Sequence, residues 1–342
     1  MLNKLLTDLR SYSGITAKRQ IASVASALSN AHSGDYANGD DAAVVRTSDS
    51  YDLFAAEGFL PQFVKKDPWF AGWCGVMVNV SDIAAMGGRP TGIVNTVWGR
   101  DDEISAKLFR GMAEASKRYR VPILGGHTNL DSPEPYLSVS IVGRAKNLLT
   151  SFAAQPGHSL VAAVDLRAEF RSPFLNWNAA TESSSERLIG DLELLPVIAE
   201  RGLACAAKDV SQAGFLGTTL MLIESSNVGA EVQLELLPKP QKVAWHDWLR
   251  AFPSFGYLLT TPTHKADELV YQFEQRGITA AQFGRITSGS CLDVYYQDEK
   301  ETFWDLSQEP LTGLSSSLSS GSRPSQPLPS ADDVMPNEAL YA

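Results

Sequence analysis

Four short clusters in this chain carry the residue types that handle phosphate and hard cations. Residues 78–90 read Val-Asn-Val-Ser-Asp-Ile-Ala-Ala-Met-Gly-Gly-Arg-Pro and set an amide, Asn79, and a carboxylate, Asp82, in a helix-compatible run that stops at two glycines and a proline. A carboxylate among apolar neighbours is costly to desolvate, so it calls for a partner or a metal. Residues 39–43, Gly-Asp-Asp-Ala-Ala, place Asp40 and Asp41 behind a glycine; such a pair suits Mg²⁺ or a plain acidic turn. Gly125-Gly126-His127-Thr128 leaves a strand end with two residues that let the backbone approach a ligand, so its amides and the Thr128 hydroxyl suit a phosphate. Residues 209–214, Asp-Val-Ser-Gln-Ala-Gly, precede a helix. There Asp209 or Ser211 either caps backbone amides or serves a metal and a phosphate at the helix N-terminus. Each cluster alone has an ordinary structural explanation.

These clusters need elements to position them. Asp67-Pro68 reads as a helix start, and that helix runs through Asn79 to the double glycine. Ile104, Leu108, Phe109, Met112, Ala115 and Tyr119 fit a 3.6-residue period behind a cap at Asp101 or Asp102. Strands are expected at 42–46, 53–56, 91–98, 121–124 and 137–145, and a helix at 15–29. A turn at Gln155-Pro156-Gly157-His158 marks a domain boundary. A second unit follows, with strands at 160–165, 230–234, 256–260, 283–286 and 291–296. Its helices are expected at 186–201, 215–225 and 265–276. Alternating strands and helices predict an α/β layer architecture.

The 342 residues allow two domains. A net charge of −10 argues against nucleic-acid or anionic-membrane partners. An acidic chain that binds polyphosphate needs divalent cations as bridges. Cys74, Cys205 and Cys291 form no zinc or disulfide pattern and read as buried small hydrophobes of a cytoplasmic protein. Lys4, Asp8 and Arg10 interrupt any secretory core, and the longest apolar run, 69–80, is too short to span a bilayer. The usual nucleotide and hydrolase signatures, G-x-x-x-x-G-K-[ST], G-x-G-x-x-G and G-x-S-x-G, are absent.

Together and in this order, the four clusters resemble the superfamily of aminoimidazole ribonucleotide (AIR) synthetase. Its relatives include thiamine-monophosphate kinase, selenophosphate synthetase, the hydrogenase-maturation carbamoyl dehydratase and formylglycinamidine ribonucleotide synthetase. Residues 39–43 and 79–88 are similar to two boxes of thiamine-monophosphate kinase. Residues 125–128 and 209–217 are similar to two boxes of selenophosphate synthetase. The resemblance implies an α/β (α+β), PurM-like two-domain architecture. Residues 1–149 would form an N-terminal domain whose sheet pairs with a second copy in a homodimer. Residues 150–314 would form a C-terminal α/β domain, and the Ser/Pro/Gly-rich residues 315–342 a disordered tail. ATP and Mg²⁺ would lie in a cleft beside the first domain. By position, Asp40, Asp82 and Asp209 match metal-binding aspartates, with Asp41 adjacent. Gly126 and Ser211 match nucleotide contacts, and Asn79, Gly125, Thr128 and Gly214 are grouped with them.

The departures narrow the function. Glu57 stands where many relatives carry the aspartate of Thr-Thr-Asp, and it would reach a metal on a longer arm. His127 and Gln212 replace two aspartates of thiamine-monophosphate kinase. Residues 1–73 hold no cysteine to serve as the reactive group of selenophosphate synthetase. The match is better to a group described only as AIR synthase-related, whose features include Asp67-Pro-Trp-Phe and residues 177–181. The expected activity is phosphoryl transfer from ATP to an oxygen of an unidentified small molecule, by positioning and electrostatics. Asp82 is the leading catalytic candidate. His127 could act as base, phosphate contact or packed residue; Arg144 and Lys208 could meet phosphates or sit in plain ion pairs. Two other readings stand beside this one: thiamine-monophosphate kinase, and a nucleotide-binding regulatory or scaffold subunit without turnover.

Overall fold

The computed structural model describes residues 1–28 and 36–314; the expected tail at 315–342 lies outside the described residues. Three short helices open the chain: α1 (Leu2–Arg10), α2 (Ser13–Thr16) and α3 (Ile21–Leu28). The helix expected over 15–29 is thus split, because residues 17–20 tighten into a 3₁₀ turn. The first domain follows as β1 (Ala43–Arg46), β2 (Tyr51–Phe59), α4 (Pro61–Lys66), α5 (Pro68–Ala85), β3 (Arg89–Trp98), α6 (Asp102–Tyr119), β4 (Ile123–Asn129) and β5 (Tyr136–Ala145). Its sheet has the order β1-β2-β5-β3-β4, antiparallel except for β3 and β4.

The first domain is built around α5. Asp67 caps this helix, its carboxylate accepting the Phe70 N–H at 3.0 Å, and Pro68 opens it. The helix is apolar nearly all round because it is covered nearly all round. A Cβ on Gly75 would sit 2.8 Å from Val139 of the sheet, and one on Gly72 would sit 2.0 Å from the Leu108 carbonyl of α6. Glycine at these positions lets the backbones approach. At its far end, Ala84 and Ala85 pack with Leu149, Val161 and Leu195 of the second domain.

The second domain runs β6 (His158–Val164), β7 (Glu169–Phe170), β8 (Asn176–Asn178), α7 (Ser185–Leu192), α8 (Leu194–Glu200), β9 (Ala206–Asp209), α9 (Gly214–Ser226) and β10 (Gly229–Gln233). It continues with α10 (Trp245–Trp248), β11 (Phe252–Pro253), β12 (Gly256–Pro262), α11 (Ala266–Glu274), β13 (Thr279–Thr287), β14 (Cys291–Tyr296) and β15 (Glu299–Asp305). The main sheet is ordered β15-β14-β10-β13-β6-β12-β9, with a small β11-β8-β7 sheet beside it. Both main sheets are mostly antiparallel, so the fold is mixed α/β of the α+β kind. The helix expected at 186–201 is broken in two at Glu193, just ahead of Pro196.

One difference bears on organisation. Leu2, Leu6, Leu9 and Ile15 are buried in the core of the second sheet, so the first stretch of residues 1–149 packs with the second domain. Strand β15 and helix α1 join there: the Leu2 amide donates to Glu299 at 2.9 Å, and Arg10 Nε to the Phe303 carbonyl at 2.8 Å. The boundary turn is where expected, with the His158 N–H on the Gln155 carbonyl at 3.0 Å.

Candidate functional site

The carboxylates converge on the seam where the C-terminal half of α5 faces the end of β9. Asn79 and Asp82 lie three apart, on one face of the helix. Asp82 is buried, and its acid group is pushed well above the ordinary carboxylate range by burial, reinforced by Asp209, Glu57 and Asp41. Asp209 ends β9; burial, then Asp41, pushes it up to about 8. Glu57 enters from β2 at the exposed rim and is also raised, by burial with Asp41 adding, against the pull of Lys18. Like charges held together out of water favour the protonated forms until a cation arrives.

Asp40 and Asp41 lie across this seam but are already engaged. Asp40 Oδ2 accepts the Thr150 hydroxyl at 2.7 Å and the Ser151 amide at 3.0 Å; its Oδ1 accepts the Ser151 hydroxyl and the Asp41 amide. Four donors fill a carboxylate's lone-pair positions. Asp40 therefore ties the loop to the domain junction. Asp41 accepts the Lys208 ammonium on one oxygen and the Asp209 amide on the other at 3.2 Å. Burial alone would lower Lys208, but Asp41, Asp40 and Asp209 carry it upward. Arg144, the other cation considered, pairs with Asp52 at 2.9 Å on the surface.

The glycine-rich cluster lies elsewhere. Residues 125–128 are not a strand-end loop; they lie within β4, an exposed edge strand paired to β3. Register sets Glu57, Val139, Asn95 and Gly126 in one row across the sheet. Three strand spacings, about 14 Å, separate Glu57 from Gly126. A Cβ on Gly126 would meet the Asn95 carbonyl at 2.4 Å, so this glycine serves the strand pairing. His127 lies opposite Thr96, in line with Ser138 and Gly58. This row faces away from α5, because its neighbours Val97 and Val139 are buried on the helix side. Within one chain the sheet thus separates His127 from Asp82. Thr128 is exposed next to it, and Gly125 has open space around it.

Ser211 and Gly214 have local explanations. The Ser211 hydroxyl accepts the Ala213 amide at 3.4 Å, and its own amide donates to Thr218 at 3.3 Å. Gly214 has φ +67°, and a Cβ there would lie 2.0 Å from the Leu249 carbonyl.

The donor chemistry fits a hard cation: oxygen ligands only, crowded and in excess of positive charge. Asn79 adds an orphan, its Oδ1 buried without a donor while its Nδ2 reaches the Gly75 carbonyl at 2.8 Å. Among the described residues, no three side chains as placed close a metal shell by themselves. Ligand oxygens or water would complete one, as is usual for Mg²⁺.

Family models described as AIR synthase related protein, N-terminal domain and C-terminal domain match residues 39–145 and 158–297. The chain belongs to the AIR synthase related family. An uncharacterized protein of Synechocystis sp. is 40% identical, covering 92% of this chain and 99% of its own. The selenide, water dikinase of Carboxydothermus hydrogenoformans is 27% identical over 72% of this chain and 84% of its own. The thiamine-monophosphate kinase of Pyrococcus abyssi is 30% identical over 69% and 80%. Among solved structures, Thermotoga maritima PurL complexed with ATP superposes with a TM-score of 0.68 at 21% identity, which speaks for the fold. It covers 79% of this chain, and the chain spans 46% of that PurL chain.

In this AIR synthase related chain the seam also holds residues that sequence reasoning did not place in the site. Lys18 and Thr150 had no motif around them. Ser151 carried no signal either, because its role depends on a partner 111 residues away. Lys208 was visible only as a cation beside Asp209.

Proposed function

We propose that this protein is an ATP- and Mg²⁺-dependent enzyme that transfers a phosphoryl group from ATP to an oxygen of a small-molecule substrate. One observation carries the reading: the buried Asp82 and Asp209, with Glu57 at the rim, lie along the domain seam near enough to raise one another's acid groups, though as placed they do not close a metal shell. Named relatives that use phosphoryl chemistry, the selenide, water dikinase and the thiamine-monophosphate kinase, support the reaction class. Glu57, Asp82 and Asp209 would hold Mg²⁺, which neutralises polyphosphate charge when bound. The orphan Asn79 Oδ1 would accept from a water or hydroxyl at the same place. Asp40, fixed by residues 150–151, keeps the acidic loop against the second domain. Positioning and electrostatics of this kind supply most of the rate in phosphoryl transfer.

The reading includes a homodimer. The sheet face away from α5 exposes Phe54 (45%), Val94 (45%), Leu124 (68%) and Val142 (38%), an apolar patch of the kind that marks an interface. A second copy laid on this face would be the chemically matched cover. No helix among the described residues is long and apolar enough to cross a membrane.

Calorimetry with a non-hydrolysable ATP analogue tests the reading. Binding should require Mg²⁺, and Asp82→Asn should weaken it at least tenfold. Turnover is then sought as ADP formation on fractionated small-molecule extract. Absence of Mg²⁺-dependent nucleotide binding would sink the proposal.

A further inference from the structure

One cation already sits inside the acidic seam. Lys208 lies in β9, and its ammonium donates to Asp41 while standing 3.5 Å from the Ser151 hydroxyl. The pair is secluded, with side chains 6% and 7% exposed. The second Asp41 oxygen takes the amide of the next β9 residue, Asp209, at 3.2 Å. Asp41 is thus gripped by two successive residues of one strand. Its neighbour Asp40 is gripped by Thr150 and Ser151. Of the two acids that look most like a metal pair in the sequence, Asp40 is filled by internal donors, and Asp41 has one oxygen claimed by an ammonium and the other by a single amide. Glu57, Asp82 and Asp209 are left without such partners among the described residues.

An ammonium is a compact point charge, and a divalent ion brought onto the same carboxylate would meet its like charge at close range. We infer that Lys208 is a built-in cation of the seam. It occupies on Asp41 the place that an additional divalent ion would otherwise take, and it latches residues 39–41 to β9 before any ligand arrives. Lys208 is a positioning residue in this account. The inference rests on the Mg²⁺-nucleotide reading above. It adds a definite consequence: the intact seam loads one fewer ion than its carboxylates allow.

Counting ions tests this without any assay of turnover. The full chain is titrated with Mn²⁺ in the presence of a non-hydrolysable ATP analogue, and bound ion is counted by electron paramagnetic resonance. Lys208→Met should bind one more Mn²⁺ per chain than the wild type. Lys208→Arg, which keeps the charge, should match the wild-type count. Asp41→Asn should also keep the wild-type count, with affinity changed less than threefold, because Asp41 answers to the lysine. Equal counts in wild type and Lys208→Met overturn the inference while leaving the Mg²⁺-nucleotide reading intact. Loss of an ion in Asp41→Asn overturns it too, by making Asp41 a ligand. If Lys208→Met does not fold, Lys208→Gln, which also removes the charge, is counted in its place and should show the same extra ion; a wild-type count there overturns the inference. No bound Mn²⁺ in any variant, with nucleotide present, removes the underlying reading and the inference with it. A plain structural ion pair would move stability and leave every count unchanged.

Discussion

Asp82 is buried on a helix whose other residues are almost all apolar, and three like charges act on it. A site arranged for a cation in this way is destabilising until the cation binds. Asp82→Asn, which keeps the shape and removes the ionisable group, should therefore stabilise the metal-free protein. Denaturant melts in EDTA would read this; an unchanged or lower midpoint would contradict it. Asp209 makes a pH prediction with a definite sign. Its folded-state value, pushed up to about 8, lies above the ordinary 3.8, so the folded state holds the extra proton between the two. Stability of the metal-free protein should then fall as pH rises from about 4 to about 8, and saturating Mg²⁺-nucleotide should flatten the slope. A midpoint that rises over the same range in EDTA would reverse the sign. Asp82, Asp209 and the 40–41 pair were legible in the sequence, since acids beside glycines at element ends announce themselves. The partner that claims Asp41 was not, because Lys208 lies 167 residues away and only the fold joins them.

At the level of elements, α5 and α6 were legible because each start carries an acid that caps it. Asp101 accepts the Glu103 and Ile104 amides just as Asp67 accepts that of Phe70. Strand β4 was legible only at its start, because Gly-Gly weakens a strand signal and reads as a turn. The face of His127 was further out of reach. It depends on a bulge between Ile93 and Val94, and a one-residue slip would turn the side chain to the other side. Helix α9 supplies a prediction of its own. Near its end, the buried Glu224 carboxylate accepts the amides of Leu311, Thr312 and Gly313 and the Thr312 hydroxyl, at 2.6 to 3.1 Å. The next residue, Leu314, rests against Gly39 at the head of the acidic loop, where a Cβ would come within 2.9 Å. Glu224→Ala would strand those donors at a cost of about 3 kcal/mol or more, visible as a lower urea midpoint. A loss below about 1 kcal/mol would mean that the strap is held by something else.

At the level of the whole molecule, the two domains are tied at several points besides the seam. Arg89 spans to Glu193 and Glu200, and Arg171 to Asp67. The domain count and the boundary turn were legible; the allegiance of the N-terminal helix was not, because an amphipathic stripe does not name the sheet it will cover. The apolar outer face of the first sheet yields the test of assembly. Phe54→Lys should convert a dimer to a monomer in sedimentation velocity without lowering the thermal midpoint by more than a few degrees. An unchanged sedimentation coefficient would refute the pairing of sheets. The docking of α1 on β15 has a consequence in time. A ribosome makes Leu2, Leu6 and Leu9 first, yet the strand that covers them comes some 300 residues later, the Leu2–Glu299 contact closing a span of 297. At about 5–20 residues per second, a nascent chain carries this greasy stripe uncovered for at least about 15 seconds. The opening helix therefore cannot reach its final cover until β15 has been made.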